Sequence, residues 1–407
     1  MGELRFARSK NLFIVVSFLL WFPQFMYVPI LSPYMESIGA QYSFIGIVLS
    51  SYGITQLLCR LPIGIFSDLL KLRKPFIILG MLASMTSCLI FLFTDSLGLI
   101  LAARALAGVS AASWVAFTVL YPGYFAPNEV HRAMGSISFI VVLAQFLGMA
   151  FSGYIVETWG WKASFWIGVL FSILGAILSI FVYEPKDKIT REPVKLKELV
   201  SVMKEPSLLK VALLSIIAHS IIFLTMFGFT SNYALQIGFK TSELTFIVFA
   251  FMIPHAIATL FMGKVLVPLL GEWRSLKWAF SMAAVITLAI PLVQTKALFL
   301  FVQAISGFSL GLIFPLLLGM SIDKISPEKR ATAMGAYQAL YAIGIFGGPF
   351  FAGFFNSLMG IQAGFYFAGV LGMIATVLII FWSRSEVRLK ALESKASESD
   401  YRKENSI

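Results

Sequence analysis

The 407-residue chain is predicted to be an all-α polytopic membrane protein, with twelve transmembrane helices in two pseudo-symmetric six-helix bundles. Three observations predict this. Hydrophobic residues make up 59% of the chain and charged residues 13%; soluble domains carry about 45–50% and about 25%. Too few ionic side chains remain to cover a water-facing surface. The uncharged stretches are continuous and reach the roughly 20 residues that one spanning helix needs, unlike the short alternating segments of a transmembrane barrel. Finally, the second half of the sequence repeats the first.

In order, the spans are 11–35, 37–59 (continuing past Arg60 to Ser67), 75–94, 96–128 (interrupted only by Arg104), 133–156 and 163–183. After a charged segment come 211–239, 244–263, 278–295, 297–322 and 331–383. The last run is far too long for one helix, and Asn356-Ser357-Leu358-Met359-Gly360 supplies turn residues in its middle. It is read as two helices and a hairpin. The first run is too long for the apolar core of a signal peptide and lacks a small-residue cleavage site. Cys59 and Cys88 both lie within apolar runs and are read as buried free thiols.

The net charge of +11 follows the topology. With the N-terminus inside, 26 of the 31 Lys and Arg fall in inner segments. The outer loops hold Lys162, Lys240 and Lys296, and Arg60 and Arg104 are embedded. The positive-inside rule explains this bias, so no nucleic-acid surface is implied. Both termini are expected in the cytoplasm. The domains read as an N-terminal bundle over 1–183, a cytoplasmic linker over 184–206, a C-terminal bundle over 207–383 and a cytoplasmic tail over 384–407, disordered or a short surface helix.

The repeat keeps a nearly constant offset. Pro127 matches Pro327, Ala133-Met134-Gly135 matches Ala333-Met334-Gly335, Gly153 matches Gly353 and Phe165 matches Phe365. At an offset of 199, Gly39, Gly64 and Gly108 match Gly238, Gly263 and Gly307. Duplication of a six-helix unit follows, with substrate expected near the midplane between halves that rock against each other.

Three motifs refine this. The second-to-third helix loop reads Gly64-Ile65-Phe66-Ser67-Asp68-Leu69-Leu70-Lys71-Leu72-Arg73-Lys74. In the fourth helix, Arg104, Gly108 and Ala112 recur at i, i+4 and i+8 and share one face; Gln303, Gly307 and Gly311 repeat that face in the tenth. The eleventh helix carries Gly344-Ile345-Phe346-Gly347-Gly348-Pro349-Phe350-Phe351-Ala352-Gly353. Over residues 11–383 the chain resembles the major facilitator superfamily. The loop is similar to the family's first signature, G-x-x-x-D-R-x-G-R-R/K: Gly64, Asp68, Arg73 and Lys74 fit, whereas Leu69, Lys71 and Leu72 depart. The resemblance implies a latch in which Asp68 meets the start of the eleventh helix, near Ser326-Pro327-Glu328; the alternative is local pairing with Arg73 and Lys74. The fourth helix resembles the second signature. The eleventh is similar to an antiporter-associated signature that the family carries in helix 5, where Met149 here replaces its proline. Gly348 and Pro349 are thus assigned to conformational change, or else to plain helix packing.

The embedded polar groups are the remaining candidates. An arginine within a span is costly to insert and marks a functional site by default; Arg104 is assigned to the cavity, the alternative being an arginine that snorkels outward or caps carbonyls. His219 and His255 lie near the midplane and are candidate proton carriers, or neutral hydrogen-bonding groups. Gln24, Tyr27, Trp114, Gln303, Gln338 and Tyr341 are further cavity candidates. No Asp or Glu lies deep in a span, so a cavity holding Arg104 suits a neutral or anionic solute. The chain has no H-E-x-x-H, G-x-S-x-G or G-x-x-x-x-G-K-[ST] motif and no Cys/His cluster. The expected function is secondary active transport of a small organic solute, as proton-coupled efflux by antiport. Uptake or facilitated diffusion is the alternative, and a non-transporting sensor or scaffold the different class. The expected partners are the solute, a proton or other coupling ion and the lipid bilayer, with no cofactor, no nucleic acid and a monomeric state.

Overall fold

The computed structural model describes residues 2–126, 129–184, 201, 203–323, 325 and 330–404, with side chains described between Ser9 and Ser383 except at 130–131 and 330–332. Most of the expected linker, and the Ser326-Pro327-Glu328 cap, lie outside the described residues. Among the described residues, twelve helices are long and apolar enough to span a bilayer. They are α1 (Ser9–Ser37), α2 (Tyr42–Leu69), α3 (Lys74–Phe93), α4 (Leu97–Tyr124), α5 (Arg132–Trp159) and α6 (Trp161–Ile180) in the first half. The second half has α7 (Pro206–Gln236), α8 (Thr241–Leu270), α9 (Glu272–Leu292), α10 (Lys296–Asp323), α11 (Ala333–Met359) and α12 (Gln362–Ser383). Beyond Ser383 the last helix continues to Glu404. The hairpin between α11 and α12 turns at Gly360, whose φ of +85° favours glycine. The ninth span starts earlier than expected, because Glu272, Arg274 and Lys277 join its first turns. Cys88 is buried and free; Cys59 is free but partly exposed, which corrects the expectation of two buried thiols.

The helices are interrupted where their sequences resist regular winding. α1 breaks at Tyr27, just before Pro29, which has no N–H to donate. α4 has a turn at Ser113, whose Oγ bonds back to Ser110 O at 2.7 Å. α7 widens into a π-turn over Thr225–Phe229, and α8 into another over Met262–Leu266.

The repeat is visible in the packing. Tyr34 of α1 meets Phe165 of α6 at 5.4 Å between rings and 65°. Tyr233 of α7 meets Phe365 of α12 at 5.5 Å and 65°. A Cβ on Gly108 of α4 would stand 2.5 Å from Tyr52 O of α2, and one on Gly307 of α10 would stand 2.8 Å from Phe251 C of α8. Tyr52 and Phe251 are themselves separated by the repeat offset of 199. Glycine is thus required where these neighbouring helices touch backbone to backbone.

Lys71 and Arg73 in a loop, with Lys74, Arg132, Arg274 and Lys277 in the first turns of their helices, define a basic end of the molecule. At the opposite, far end the two halves are joined. Asn232 Nδ2 of α7 donates to Glu36 Oε2 at 2.5 Å, and Tyr42 donates to the other carboxylate oxygen. Ser43 N donates to Ser357 Oγ at 2.6 Å, and Ser242 N to Glu157 Oε2 at 3.3 Å. A Cβ on Gly46 of α2 would stand 2.6 Å from Pro349 O of α11. Also at this end, Lys162 donates to Asp95 at 2.6 Å and to Tyr34 Oη, Phe91 O and Thr94 O, tying α6 to α1 and to the end of α3. Lys162, then Tyr34, hold the Asp95 carboxyl below its ordinary range. This clamp contributes to stability above the unfolded carboxylate pKa and is lost as pH falls through the folded one.

Toward the basic end the halves part. α2 and α11 stay together as far as Arg60, whose Nη1 donates to Gln338 O at 3.3 Å. About one turn further on, Gly335 meets no described atom within 4 Å of an added Cβ and Gly64 meets only Val115 of its own half; Gly263 of α8 likewise meets none.

Candidate functional site

A narrow pocket lies between the halves, lined by Gln24, Phe25, Val28, Tyr52, Arg104, Phe223 and Phe227. Its polar side belongs to the first half. Gly108 draws α4 onto α2, and one turn away this places the Arg104 guanidinium 4.3 Å from the Tyr52 ring centroid and 5.8 Å from that of Tyr27. Arg104 is only 3% exposed. Its Nε and Nη1 make no hydrogen bond among the described residues, and no carboxylate lines the pocket. Two cation–π contacts of about 0.5–2 kcal/mol each fall well short of the desolvation cost of a buried guanidinium. The Arg104 charge is therefore left uncompensated among the described residues.

Gln24, 1% exposed, donates through Nε2 to Leu20 O at 3.0 Å and to Ser110 Oγ at 3.1 Å. Its Oε1 remains unpaired. The other wall comes from the second half. The π-turn that begins at Thr225 carries Phe227, and Phe223 lies just before it. Phe227 meets Phe25 edge-on at 5.6 Å, and Phe223 stacks on Tyr52 at 6.2 Å, so aromatic rings close the pocket across the boundary. Such single π-turns are often found at functional sites.

Of the expected cavity residues, only Arg104 and Gln24 line this pocket. Tyr27 stands behind Arg104, packed on Phe91 and Phe165. Trp114 stacks on Phe117 and meets Trp21 inside the first half. Gln303 is buried on α10, with Nε2 unpaired. A second cluster gathers the others. His219 stacks flat on Tyr341 at 4.0 Å, with Nδ1 2.8 Å from Ser215 O; Ser215 Oγ lies 2.8 Å from Tyr337 Oη. Arg60 reaches into this cluster from α2, touching Gln338 O and Tyr341 Oη. His255 faces Phe251 and Phe314, and Phe314 also meets His219 edge-on. Sequence reasoning missed Phe25, Val28, Tyr52, Phe223 and Phe227, and it left Arg60 out of the site although its charge inside an apolar run was a visible signal.

The motif residues divide between the two ends. Gly348 packs on Ser220 of α7, where an added Cβ would stand 2.5 Å from the carbonyl oxygen, while Pro349 abuts Gly46. At the basic end Asp68 pairs with Arg73, which is fully buried and also donates to Ser67 O. Glu184 accepts from the backbone N–H groups of Arg73 and Lys74, at 2.5 and 3.0 Å, capping α3. Because Asp68 neutralises a buried arginine, Asp68→Asn is expected to cost about 3 kcal/mol of stability. Adding Arg73→Met should recover much of it. Thermal unfolding of the single and double variants checks this; a double variant no more stable than Asp68→Asn would show that charge is not the cause.

Two six-helix bundles with a pocket at their boundary have the architecture of a membrane transporter. The chain belongs to the Major Facilitator Superfamily, whose profile matches residues 13–302 and 236–404. It is 24% identical over 380 residues to the probable sugar efflux transporter of Mannheimia succiniciproducens, covering 90% of this chain and 92% of that one. It is 27% identical over 359 residues to the inner membrane transport protein YajR of Escherichia coli, covering 85% and 77%. Among solved structures, the inward-facing, occupied bacterial homologue of the human lysosomal transporter Spinster shares the fold. The TM-score is 0.74 at 13% identity, over 93% of this chain and 97% of that one.

Proposed function

We propose that this transporter exports a small neutral or anionic organic solute across the cytoplasmic membrane by alternating access, in exchange for protons. The observation that carries the reading is Arg104, buried and unneutralised beside a pocket on the boundary of the two halves. The charge distribution supports an orientation with both termini in the cytoplasm, so the basic end is the inner one and the described conformation faces inward. The 1–183 and 207–383 halves rock as units, tethered by 184–206. The name of the Mannheimia relative supports efflux. His219 is the proposed proton carrier, since it lies in the cluster that Arg60 bridges across the halves. When the inner end closes, Asp68 reaches the start of α11 as a latch.

Flux of a solute panel in proteoliposomes tests this, with and without an imposed proton gradient. Accumulation against the solute gradient, driven by protons moving the opposite way, is expected. Co-directional movement would make the protein an uptake symporter, and gradient-independent flux a facilitator. No movement of any solute would favour a sensor or scaffold.

A further inference from the structure

From the pocket's unpaired atoms we infer that the solute is an aromatic carboxylate bearing one additional hydrogen-bond donor. This rests on the export reading above and narrows its solute class. An arginine offers five N–H donors and no acceptor; Arg104 Nε and Nη1 are buried and unpaired. A planar carboxylate matches the guanidinium fork and supplies the missing charge. Gln24 contributes the opposite need: both contacts of its amide nitrogen are internal, and the free Oε1 accepts one hydrogen bond.

The rest of the wall is apolar. Phe25 and Val28 come from α1, and Phe223 and Phe227 from α7. A flat hydrocarbon body suits these walls once they part, since aromatic rings pack edge-on or offset. A hexose is a poor match. Beyond the Arg104 and Gln24 groups, its hydroxyls would face phenyl and isopropyl carbon and lose the hydrogen bonds that water gave them. The charged head would rest on one half of the molecule and the ring on the other. Binding therefore bridges the two halves and would act directly on their relative movement.

Calorimetric titration of the full chain in lipid nanodiscs tests the inference, using 4-hydroxybenzoate as the probe. One saturable site is expected. Replacing the charge, in 4-hydroxybenzamide, should weaken binding by roughly tenfold or more. Removing the donor, in benzoate, should weaken it by roughly two- to tenfold. Glucose should not compete. Gln24→Leu should erase the preference for 4-hydroxybenzoate over benzoate while leaving the preference for charge. Arg104→Gln should do the reverse. Failure of 4-hydroxybenzoate to bind, equal binding of its amide, or displacement by glucose would overturn the assignment. If a neutral solute is exported while 4-hydroxybenzoate does not bind, this inference fails and the export reading stands. If 4-hydroxybenzoate binds as described but no solute moves, the export reading fails instead.

Discussion

Arg104→Ala is expected to lower solute affinity and transport by a factor of roughly 10–100, the range for a lost charge-assisted hydrogen bond, without lowering the melting temperature. The second half of that expectation separates a functional residue from a structural one. Arg104 is buried, its Nε and Nη1 are unpaired among the described residues, and no carboxylate lines its pocket. Removing an uncompensated buried charge relieves a desolvation penalty, whereas removing a structural arginine exposes its former partners. Arg104→Lys then distinguishes two roles. If the guanidinium binds solute, lysine keeps the charge but loses the planar fork, and affinity should fall at every pH. If Arg104 instead governs the His219 cluster, affinity should survive and the pH dependence of transport should move. Binding isotherms and flux at two pH values, with thermal unfolding of each variant, decide between these. Unchanged binding and flux in Arg104→Ala would return the residue to a packing role.

The fold was legible because its determinants are long-range in the sequence but simple in kind. Continuous apolar runs fixed the helices, and the distribution of Lys and Arg fixed which loops share an end. The repeat predicted equivalences that the packing reproduces down to ring geometry, as in Tyr34 with Phe165 and Tyr233 with Phe365. Arg104 was legible for a related reason, since a charge in an apolar helix stands out. The aromatic wall was not. The chain has 39 phenylalanines, and nothing in composition separates Phe223 and Phe227 from those facing lipid. Their placement depends on a π-turn at Thr225–Phe229, a local rewinding that hydropathy does not register. Embedded glutamines were equally ambiguous: Gln24 lines the pocket, while Gln303 is buried on α10 away from it. Asp68 lies at the basic end of its helix, and its ion-pair partner among the described residues is the local Arg73, which the sequence offered as the alternative.

Gly353→Leu and Gly335→Leu are expected to push the conformational equilibrium in opposite directions. α2 and α11 run antiparallel, so each step along one is matched by an equal step back along the other. Gly46 meets Gly353, Gly53 meets Phe346, Arg60 meets Gln338, and continuing the register brings Gly64 opposite Gly335. At the far end the fit is backbone to backbone: a Cβ on Gly353 would stand 2.5 Å from Tyr42 O and 2.6 Å from Gly46 Cα. A leucine there forces the helices apart, and overpacking of this kind costs about 1–3 kcal/mol. The cost falls only on conformations with the far end closed, so their population relative to the open form should drop by roughly 5- to 150-fold. At Gly335 an added Cβ meets no described atom in this conformation. Leucine is accommodated here, yet it would obstruct the approach to Gly64 when the basic end closes. Gly335→Leu should therefore hold the protein in the described conformation. Spin labels placed across each end report both distances. Gly353→Leu should lengthen the far-end distance and Gly335→Leu should leave it short, while each slows transport at least tenfold if the bulk removes one of the two states that alternation requires. A far-end distance unchanged by Gly353→Leu would mean that the closed crossing yields elsewhere, and that the α2–α11 register does not set the alternation.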